Sequence, residues 1–202
     1  MLEQQAQWDY PELTRGNIST PSAGLNTGVG AAMPYYWTSD DTRRAIVSSL
    51  IPVGVGAIGV AALSQDSAYH RLLETTRRPH WTPSRNVFSA LDVLTTAPFG
   101  YASYLVYKYG GGFDYTDTTI ALGLYGTTLG VALAAVPLVK ARNLKGLWIN
   151  ATLLHLASAA TAFAFYKVDK NAGYLMLPFV AWSSFYAYFS HAVHDLNPSK
   201  LD

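Results

Sequence analysis

The sequence of 202 residues contains no cysteine and few charged residues. Without cysteine there is no disulfide, no thiolate zinc or iron–sulfur site and no cysteine nucleophile. Only 13% of the residues are charged, against about 25% in a typical soluble domain. The formal net charge of +1 gives no electrostatic reason to expect nucleic acid as a partner. Hydrophobic residues make up 50% of the chain, which favours a membrane protein.

The sequence also lacks the motifs that carry most enzyme chemistry. It shows no glycine-rich phosphate loop, no nucleophile elbow and no paired catalytic carboxylates. His191, His194 and Asp195 share one helical face near the end of the last apolar segment. Without a further ligand, solvated interfacial histidines are a simpler interpretation than a metal site. We therefore expect no enzyme, no metal site and no cofactor.

Five apolar segments follow a polar beginning. They cover residues 45–63, 86–109, 118–138, 147–166 and 174–194. Each reaches the length of about 20 residues that a membrane-spanning helix needs. A helix in the core of a soluble protein normally keeps a polar stripe, whereas the first and third segments contain no charge. The sequence predicts an all-α membrane protein with a five-transmembrane-helix bundle at 43–198, whose odd number of spans places the termini on opposite sides.

Residues 1–42 have a different composition and form a predicted extended arm. They are rich in small and polar residues, so alone they lack the apolar surface to fold. Five aromatic residues interrupt them: Trp8, Tyr10, Tyr35, Tyr36 and Trp37. Aromatic side chains spaced along such a segment suit pockets in another protein. We predict that the arm binds partner subunits.

A proline-bracketed tryptophan precedes the second apolar segment. Residues 78–88 read RPHWTPSRNVF, and residues 100–113 read GYASYLVYKYGGGF. With LGLY, KARNLKG and AFYKVDKNAGYLMLPFVAW further on, this pattern resembles the translocator protein, or tryptophan-rich sensory protein (TspO/MBR), family. The resemblance extends from Arg71 to about Asn197. It implies a five-helix bundle that encloses a pocket for porphyrins or sterol-like molecules and, in eukaryotes, mostly a mitochondrial location. A role in a respiratory complex would favour the inner membrane of that organelle.

In that family the loop before the second helix covers the bound ligand, which suggests the same for the turn with Pro79, Trp81 and Pro83. The alternative is a rigid connector whose tryptophan lies at the headgroup level. The pocket residues that the resemblance implies are Pro79, Trp81, Pro83, Asp92, Asn150 and Trp182.

The chain departs from the family pattern at several pocket positions. Asp92 stands where the family usually has a tryptophan. Ala132 replaces an asparagine, and Leu133 and Ala135 replace two tryptophans. Phe165 replaces a further tryptophan, and Asn150 replaces an aspartate. Loss of a fully buried ring costs about 3–5 kcal/mol, and an acid in an apolar wall weakens apolar binding further. We therefore predict an eroded ligand pocket.

Polar residues inside the apolar segments need partners. Asp92 has three alternatives, namely a pair with Asn150, a salt bridge to another subunit, or hydration near the membrane surface. His155 is expected to hydrogen-bond a neighbouring helix. Gly126, Gly130 and Ala134 recur every fourth residue and allow close helix approach, either within the bundle or, as in family members, at a dimer surface.

Two functions remain open from the sequence. The first is a structural accessory subunit of a mitochondrial inner-membrane respiratory complex, held by its arm and its transmembrane surface among lipids and other membrane subunits. The alternative is a translocator-type receptor that binds porphyrin, haem, sterol or lipid non-covalently in the helix bundle.

Overall fold

The computed structural model describes residues 37–198, apart from the side chains of Ala68 and Leu73. Trp8, Tyr10, Tyr35 and Tyr36 of the predicted arm lie outside this range. The helices are α1 (Ser39–Ser64), α2 (Ser67–Thr75), α3 (Arg85–Tyr109), α4 (Thr116–Lys140), α5 (Leu144–Val168) and α6 (Lys170–Asp195), with a 3-10 turn at Gly112–Asp114. The five long helices confirm the predicted helical membrane bundle.

Each long helix extends beyond the apolar segment that predicted it. The largest difference is at α1, which begins at Ser39, inside the range predicted as arm. Thr38 is the N-cap: its hydroxyl accepts from the amide of Asp41 at 3.2 Å, and the Asp41 carboxylate accepts from the amide of Thr38 at 2.6 Å. This reciprocal capping box fixes the start of the helix.

Three of the described helices, α1, α4 and α5, are long and apolar enough to cross a membrane by length and composition. Helices α3 and α6 have 25 and 26 residues and are not among the helices that meet this criterion. At 1.5 Å per residue they are about 38 Å long, which exceeds the hydrocarbon thickness of about 30 Å. Asp92 of α3 and Ser183 of α6 have hydrogen-bond partners within the bundle.

The apolar core lies between α3, α4, α5 and α6. Phe99, Phe165 and Met176 are fully buried. Phe99 of α3 stacks on Phe179 of α6 with ring centroids 4.6 Å apart and lies 4.6 Å from Tyr125 of α4. Aromatic pairs at such distances add to the burial of their surface.

Hydroxyl pairs connect the helices inside this core. Thr128 of α4 and Thr161 of α5 lie 3.0 Å apart between their hydroxyl oxygens, and Ser158 of α5 lies 2.9 Å from Ser183 of α6. His155 Nδ1 is 3.2 Å from the Ser183 hydroxyl, which confirms the predicted interhelical role of this histidine. Such bonds pair polar groups that hydrocarbon would otherwise leave unsatisfied.

Helices α5 and α6 are joined by a single residue, Asp169. Its amide makes the last hydrogen bond of α5, to the carbonyl of Phe165 at 2.8 Å, and its extended backbone, with φ −143° and ψ 123°, ends the helix. Its carboxylate accepts from the amide of Ala172 at 2.8 Å and caps α6. Gly173 lies in the first turn of α6 and Tyr166 in the last turn of α5. A Cβ added at Gly173 would lie 2.7 Å from the Cα of Tyr166, so the two helices are in contact directly beside the link.

Helix α2 is an element that the sequence analysis missed. It has nine residues, too few to cross a membrane, and ends just before the tryptophan loop. Its apolar and polar residues alternate at helical spacing, but the segment lies between two hydropathy peaks. A search for spanning segments therefore passes over it.

The small-residue stripe on α4 faces outward. A Cβ added at Gly126 or Gly130 would meet no atom within 4 Å, and Ala134 is exposed. The alternative in which this stripe packs within the bundle is therefore wrong. A role in binding a partner stays a prediction.

Gly100 brings α3 against α1, and we expect Gly100→Ala to lower the stability of the bundle by about 1–3 kcal/mol. A Cβ there would lie 2.2 Å from the backbone oxygen of Ser48 and 2.7 Å from the Cα of Ser49. Backbone atoms cannot rotate away, so the helices must separate. The measurement is thermal unfolding in detergent, with Gly123→Ala as the control because nothing lies within 4 Å of that site. Equal midpoints for both variants would contradict the tight crossing.

Candidate functional site

The tryptophan loop between α2 and α3 is a folded turn. The amide of Thr82 donates to the carbonyl of Pro79 at 3.1 Å, and its hydroxyl donates to the same oxygen at 2.6 Å. Pro79 is buried and Pro83 is half-buried. Ser84 then caps α3. The two prolines thus restrict a short turn just outside the helix, where they interrupt no helical hydrogen bond.

Trp81 at the tip of this turn lies on α6. Its ring stacks on Tyr188 with centroids 5.4 Å apart, and it meets Phe185 at 6.0 Å and Phe189 at 5.9 Å. The loop therefore covers the last part of α6. This position is compatible with both predicted roles, a cover over a pocket and an interfacial anchor.

A continuous group of rings lies beneath the loop. We define the aromatic cluster as Trp81, Phe88, Trp182, Phe185, Tyr186 and Phe189. Phe88 of α3 lies 5.5 Å from Trp182, and Trp182 stacks on Phe185 at 4.9 Å. The cluster joins the loop, α3 and α6 into one packed unit.

Asp92 is bound to the polar edges of this cluster. Its Oδ1 accepts from Trp182 Nε1 at 2.7 Å, and its two oxygens accept from the Tyr186 hydroxyl at 3.1 and 3.2 Å. Of the three alternatives for Asp92, the pair with Asn150 is wrong, since the acid faces α6 and Asn150 is buried in α5. The hydrogen-bond donors to the Asp92 carboxylate are Trp182 and Tyr186, one helical turn apart on α6, and not the side-chain amide of Asn150.

The end of the chain holds the loop in place. Asn197, which is 4% exposed, accepts from the amide of Arg77 at 3.0 Å and donates to the carbonyl of Arg77 at 3.0 Å. Its amide also donates to the carbonyl of Val193 at 2.7 Å. One side chain thus satisfies both backbone groups of a loop residue and fastens the loop to α6.

A cavity of about 150 Å³ remains next to the loop. Its walls include Leu72, Thr76, Leu147, Phe189 and Val193. Pockets that enclose a ligand of drug size are typically about 300–1,000 Å³. In this conformation the cavity is too small for a porphyrin or a sterol.

The other replaced family positions are spread through the bundle. Phe165 is fully buried in the core, whereas Leu133 is 41% exposed. Ala132 and Ala135 are half-buried on α4. The structure brings Trp81, Asp92 and Trp182 into one cluster but does not bring these α4 residues to it.

The histidines near the end of α6 form a surface group. His191 Nδ1 lies 3.3 Å from a carboxylate oxygen of Asp195, and His194 Nδ1 lies 3.2 Å from the other. Both imidazole rings meet Trp148 of α5, at 5.0 and 5.8 Å. Within residues 37–198, no group of three or more histidine, cysteine or acidic residues has the arrangement to hold a metal ion.

A second polar group, which sequence reasoning missed, lies at the opposite end of the bundle. Lys108 Nζ forms a 2.7 Å salt bridge with Asp41, and the Tyr104 hydroxyl donates to the same carboxylate. Trp37 covers the ammonium, which lies 4.7 Å from its ring, and also contacts Tyr101 and Tyr104. Trp37, predicted to reach a partner, is thus placed on α3 of its own chain.

Sequence signals existed for part of what was missed. Phe185, Tyr186 and Phe189 follow Trp182 at helical spacing, which marks one aromatic face of α6. The sequence T-S-D-D at 38–41 is a capping pattern. Nothing local pairs Asp41 with Lys108, or Asn197 with Arg77, because those partners are distant in the chain.

The long helices, the interhelical hydroxyl pairs and the apolar outer surface define a helical bundle of a membrane protein. The model of the TspO/MBR family matches residues 48–195, and the chain belongs to this family. The translocator protein of sheep (Ovis aries) is 28% identical over 157 residues, 77% of this chain and 91% of the relative. Translocator protein 2 of dog (Canis lupus familiaris) is 33% identical over 133 residues, 63% of this chain and 74% of the relative. Human translocator protein is 32% identical over 118 residues, 58% and 69% of the two chains.

Proposed function

We propose that this translocator-type membrane protein is a structural accessory subunit of a mitochondrial inner-membrane respiratory complex, with an eroded ligand pocket and no catalytic role. In this role the bundle contributes packing surface, and the polar arm reaches neighbouring subunits.

The observation that carries the proposal is the bonding of Asp92. Its carboxylate draws Trp182 and Tyr186 together at 2.7 and 3.1 Å at the position where the family usually has a tryptophan. The aromatic cluster packs the loop, α3 and α6 against one another around this carboxylate. Opening it would separate several ring contacts and expose a carboxylate to the ligand, which costs binding energy.

The arm supplies the second argument. Its four aromatic residues before Trp37 are spread over polar sequence, and each suits a pocket on a partner. Trp37, the residue that follows this segment, contacts Lys108 and Tyr104 of α3.

The test deletes residues 2–36 and keeps Trp37 and the Thr38 cap. Tagged full-length and truncated proteins are expressed in the organism's own cells, and mitochondria are solubilised in mild detergent. On native gels we expect the full-length protein to migrate with a large complex and the truncated protein to migrate at low mass. Both should insert, because every long helix begins at Ser39 or later. Identical migration of both forms as a free monomer or dimer would contradict the proposal.

A receptor for porphyrin, sterol or lipid is the second candidate, and the retained Trp81 loop favours it. Protoporphyrin is titrated into the purified protein, and tryptophan quenching is recorded. We expect no saturable binding at micromolar concentrations. Saturable binding that Trp81→Ala abolishes, with Trp148→Phe as the matched control, would establish the receptor instead.

A further inference from the structure

A larger cavity, of about 580 Å³, lies at the end of the bundle opposite the tryptophan loop. It opens where α1 begins and α3 ends. Arg43 and Arg44 of α1 and Tyr107 of α3 line its polar side, while Val47 of α1 and Leu122 of α4 line its apolar side. The volume is within the usual range of about 300–1,000 Å³ for ligand sites.

The polar side carries excess positive charge. Arg43 and Arg44 are exposed, and no ion pair within residues 37–198 includes either guanidinium. Asp41, a half-buried acid in the same first turns of α1, is bound to Lys108 at 2.7 Å. Asp40 is then the one acid on the cavity wall beside two arginines. A planar guanidinium matches the oxygens of a phosphate group in two parallel hydrogen bonds.

The apolar side lies deeper than the arginines. Val47 follows Arg43 by four residues, so it lies on the same face of α1, about 6 Å further along the helix. Val47 is 54% exposed, and Leu122 approaches from α4. The cavity thus pairs a cationic entrance with an apolar wall, which matches an amphiphile with an anionic head.

Aromatic residues place this entrance at the membrane surface. Trp37, Tyr104, Tyr107 and Tyr115 lie at this end of the bundle, and Tyr107 and Tyr115 are exposed. Tryptophan and tyrosine concentrate at the headgroup level of a bilayer. At that depth Arg43 and Arg44 meet lipid phosphates, and basic pockets between transmembrane helices bind anionic headgroups.

We propose that this cavity is a binding site for an anionic phospholipid, whose phosphate is held by Arg43 and Arg44 and whose acyl chain lies along Val47 and Leu122. The hydroxyl of Ser48, which also lines the cavity, is a donor for a remaining phosphate oxygen, whereas the Ser103 hydroxyl already donates to the carbonyl of Gly100 at 2.7 Å. The site is separate from the Trp81 loop and does not depend on the function proposed above.

The test measures how lipids raise the thermal midpoint of the purified full-length protein in detergent. Phosphatidylglycerol and phosphatidylcholine with the same acyl chains are titrated separately, and inorganic phosphate is titrated in a third series. We expect saturable stabilisation by phosphatidylglycerol with about tenfold higher apparent affinity than by phosphatidylcholine. Inorganic phosphate should give little shift, because it cannot use the apolar wall.

Two double variants locate the site. Arg43→Gln with Arg44→Gln should reduce the preference to about twofold or less. Arg85→Gln with Lys145→Gln, two exposed basic residues at the other end of the bundle, should retain it. A preference that persists without Arg43 and Arg44, or one lost equally in both double variants, would overturn the proposal. An equal effect of inorganic phosphate would assign the site to a free anion instead. Helical circular dichroism of each variant establishes that it is folded.

Discussion

Replacement of Asp41 by alanine is expected to lower the thermal midpoint of the bundle by roughly 5–10 °C. The carboxylate has three partners at once. It accepts from the amide and hydroxyl of Thr38 at 2.6 and 2.8 Å, bonds Lys108 at 2.7 Å and accepts from the Tyr104 hydroxyl. The alanine variant loses the half of the capping box that the Asp41 carboxylate supplies and leaves Lys108, 12% exposed, without this carboxylate.

The neighbouring acid provides the control. Asp40 carries the same charge in the same first turn of α1 but is exposed. Asp40→Ala should shift the midpoint by no more than about 2 °C, and Asp41→Asn should fall between the two alanine variants, since it keeps a capping oxygen. The readout is unfolding in detergent, followed by circular dichroism. Equal shifts for the Asp40 and Asp41 variants would show that only the charge of the first turn matters.

The second large effect is expected at Asp92. Asp92→Ala should destabilise the bundle by about 2–3 kcal/mol, because it leaves Trp182 Nε1 and the Tyr186 hydroxyl without their acceptor in apolar surroundings. Asp92→Asn should be within about 1 kcal/mol of the natural protein, or more stable. It removes the charge but keeps an oxygen that can accept from both donors.

The pair of variants separates charge from hydrogen bonding. Unfolding is followed by tryptophan fluorescence, because Trp182 reports directly on the contact with Asp92. Asp114→Ala, at an exposed acid of the 3-10 turn, controls for the loss of one carboxylate. If Asp92→Ala and Asp92→Asn proved equally stable, the bonds to Trp182 and Tyr186 would not hold the cluster together.

The sequence predicted the number of long helices better than the residues at which they begin and end. Five apolar runs were enough to count the long helices, because hydropathy detects the part of a helix that lies in hydrocarbon. It does not detect the polar turns at either end, which are set by the caps Thr38, Asn143 and Asp169. Those caps lie in sequence that hydropathy assigns to loops, so every long helix was predicted too short.

The sequence predicted several residues of the candidate site but not which of them contact one another. Asp92 and Trp182 were both identified, but the three alternatives for Asp92 included Asn150 and neither Trp182 nor Tyr186 as its partner. Periodicity shows which residues share a face of one helix; it does not show which helix lies opposite that face. Trp182 and Tyr186 belong to the aromatic face of α6, but only the packing of α3 against α6 brings them to Asp92.

The one-residue link between α5 and α6 has a consequence for the way the protein is made. Only Asp169 separates the two helices, and Gly173 lies against Tyr166. A link of one residue is too short to keep one helix outside the bilayer while the other enters it. Helix α5 is apolar enough to enter by itself, whereas α6 is not among the helices that meet that criterion. Ser183 of α6 is already paired with His155 and Ser158 of α5. We therefore expect α5 and α6 to enter the bilayer together, as one helical hairpin.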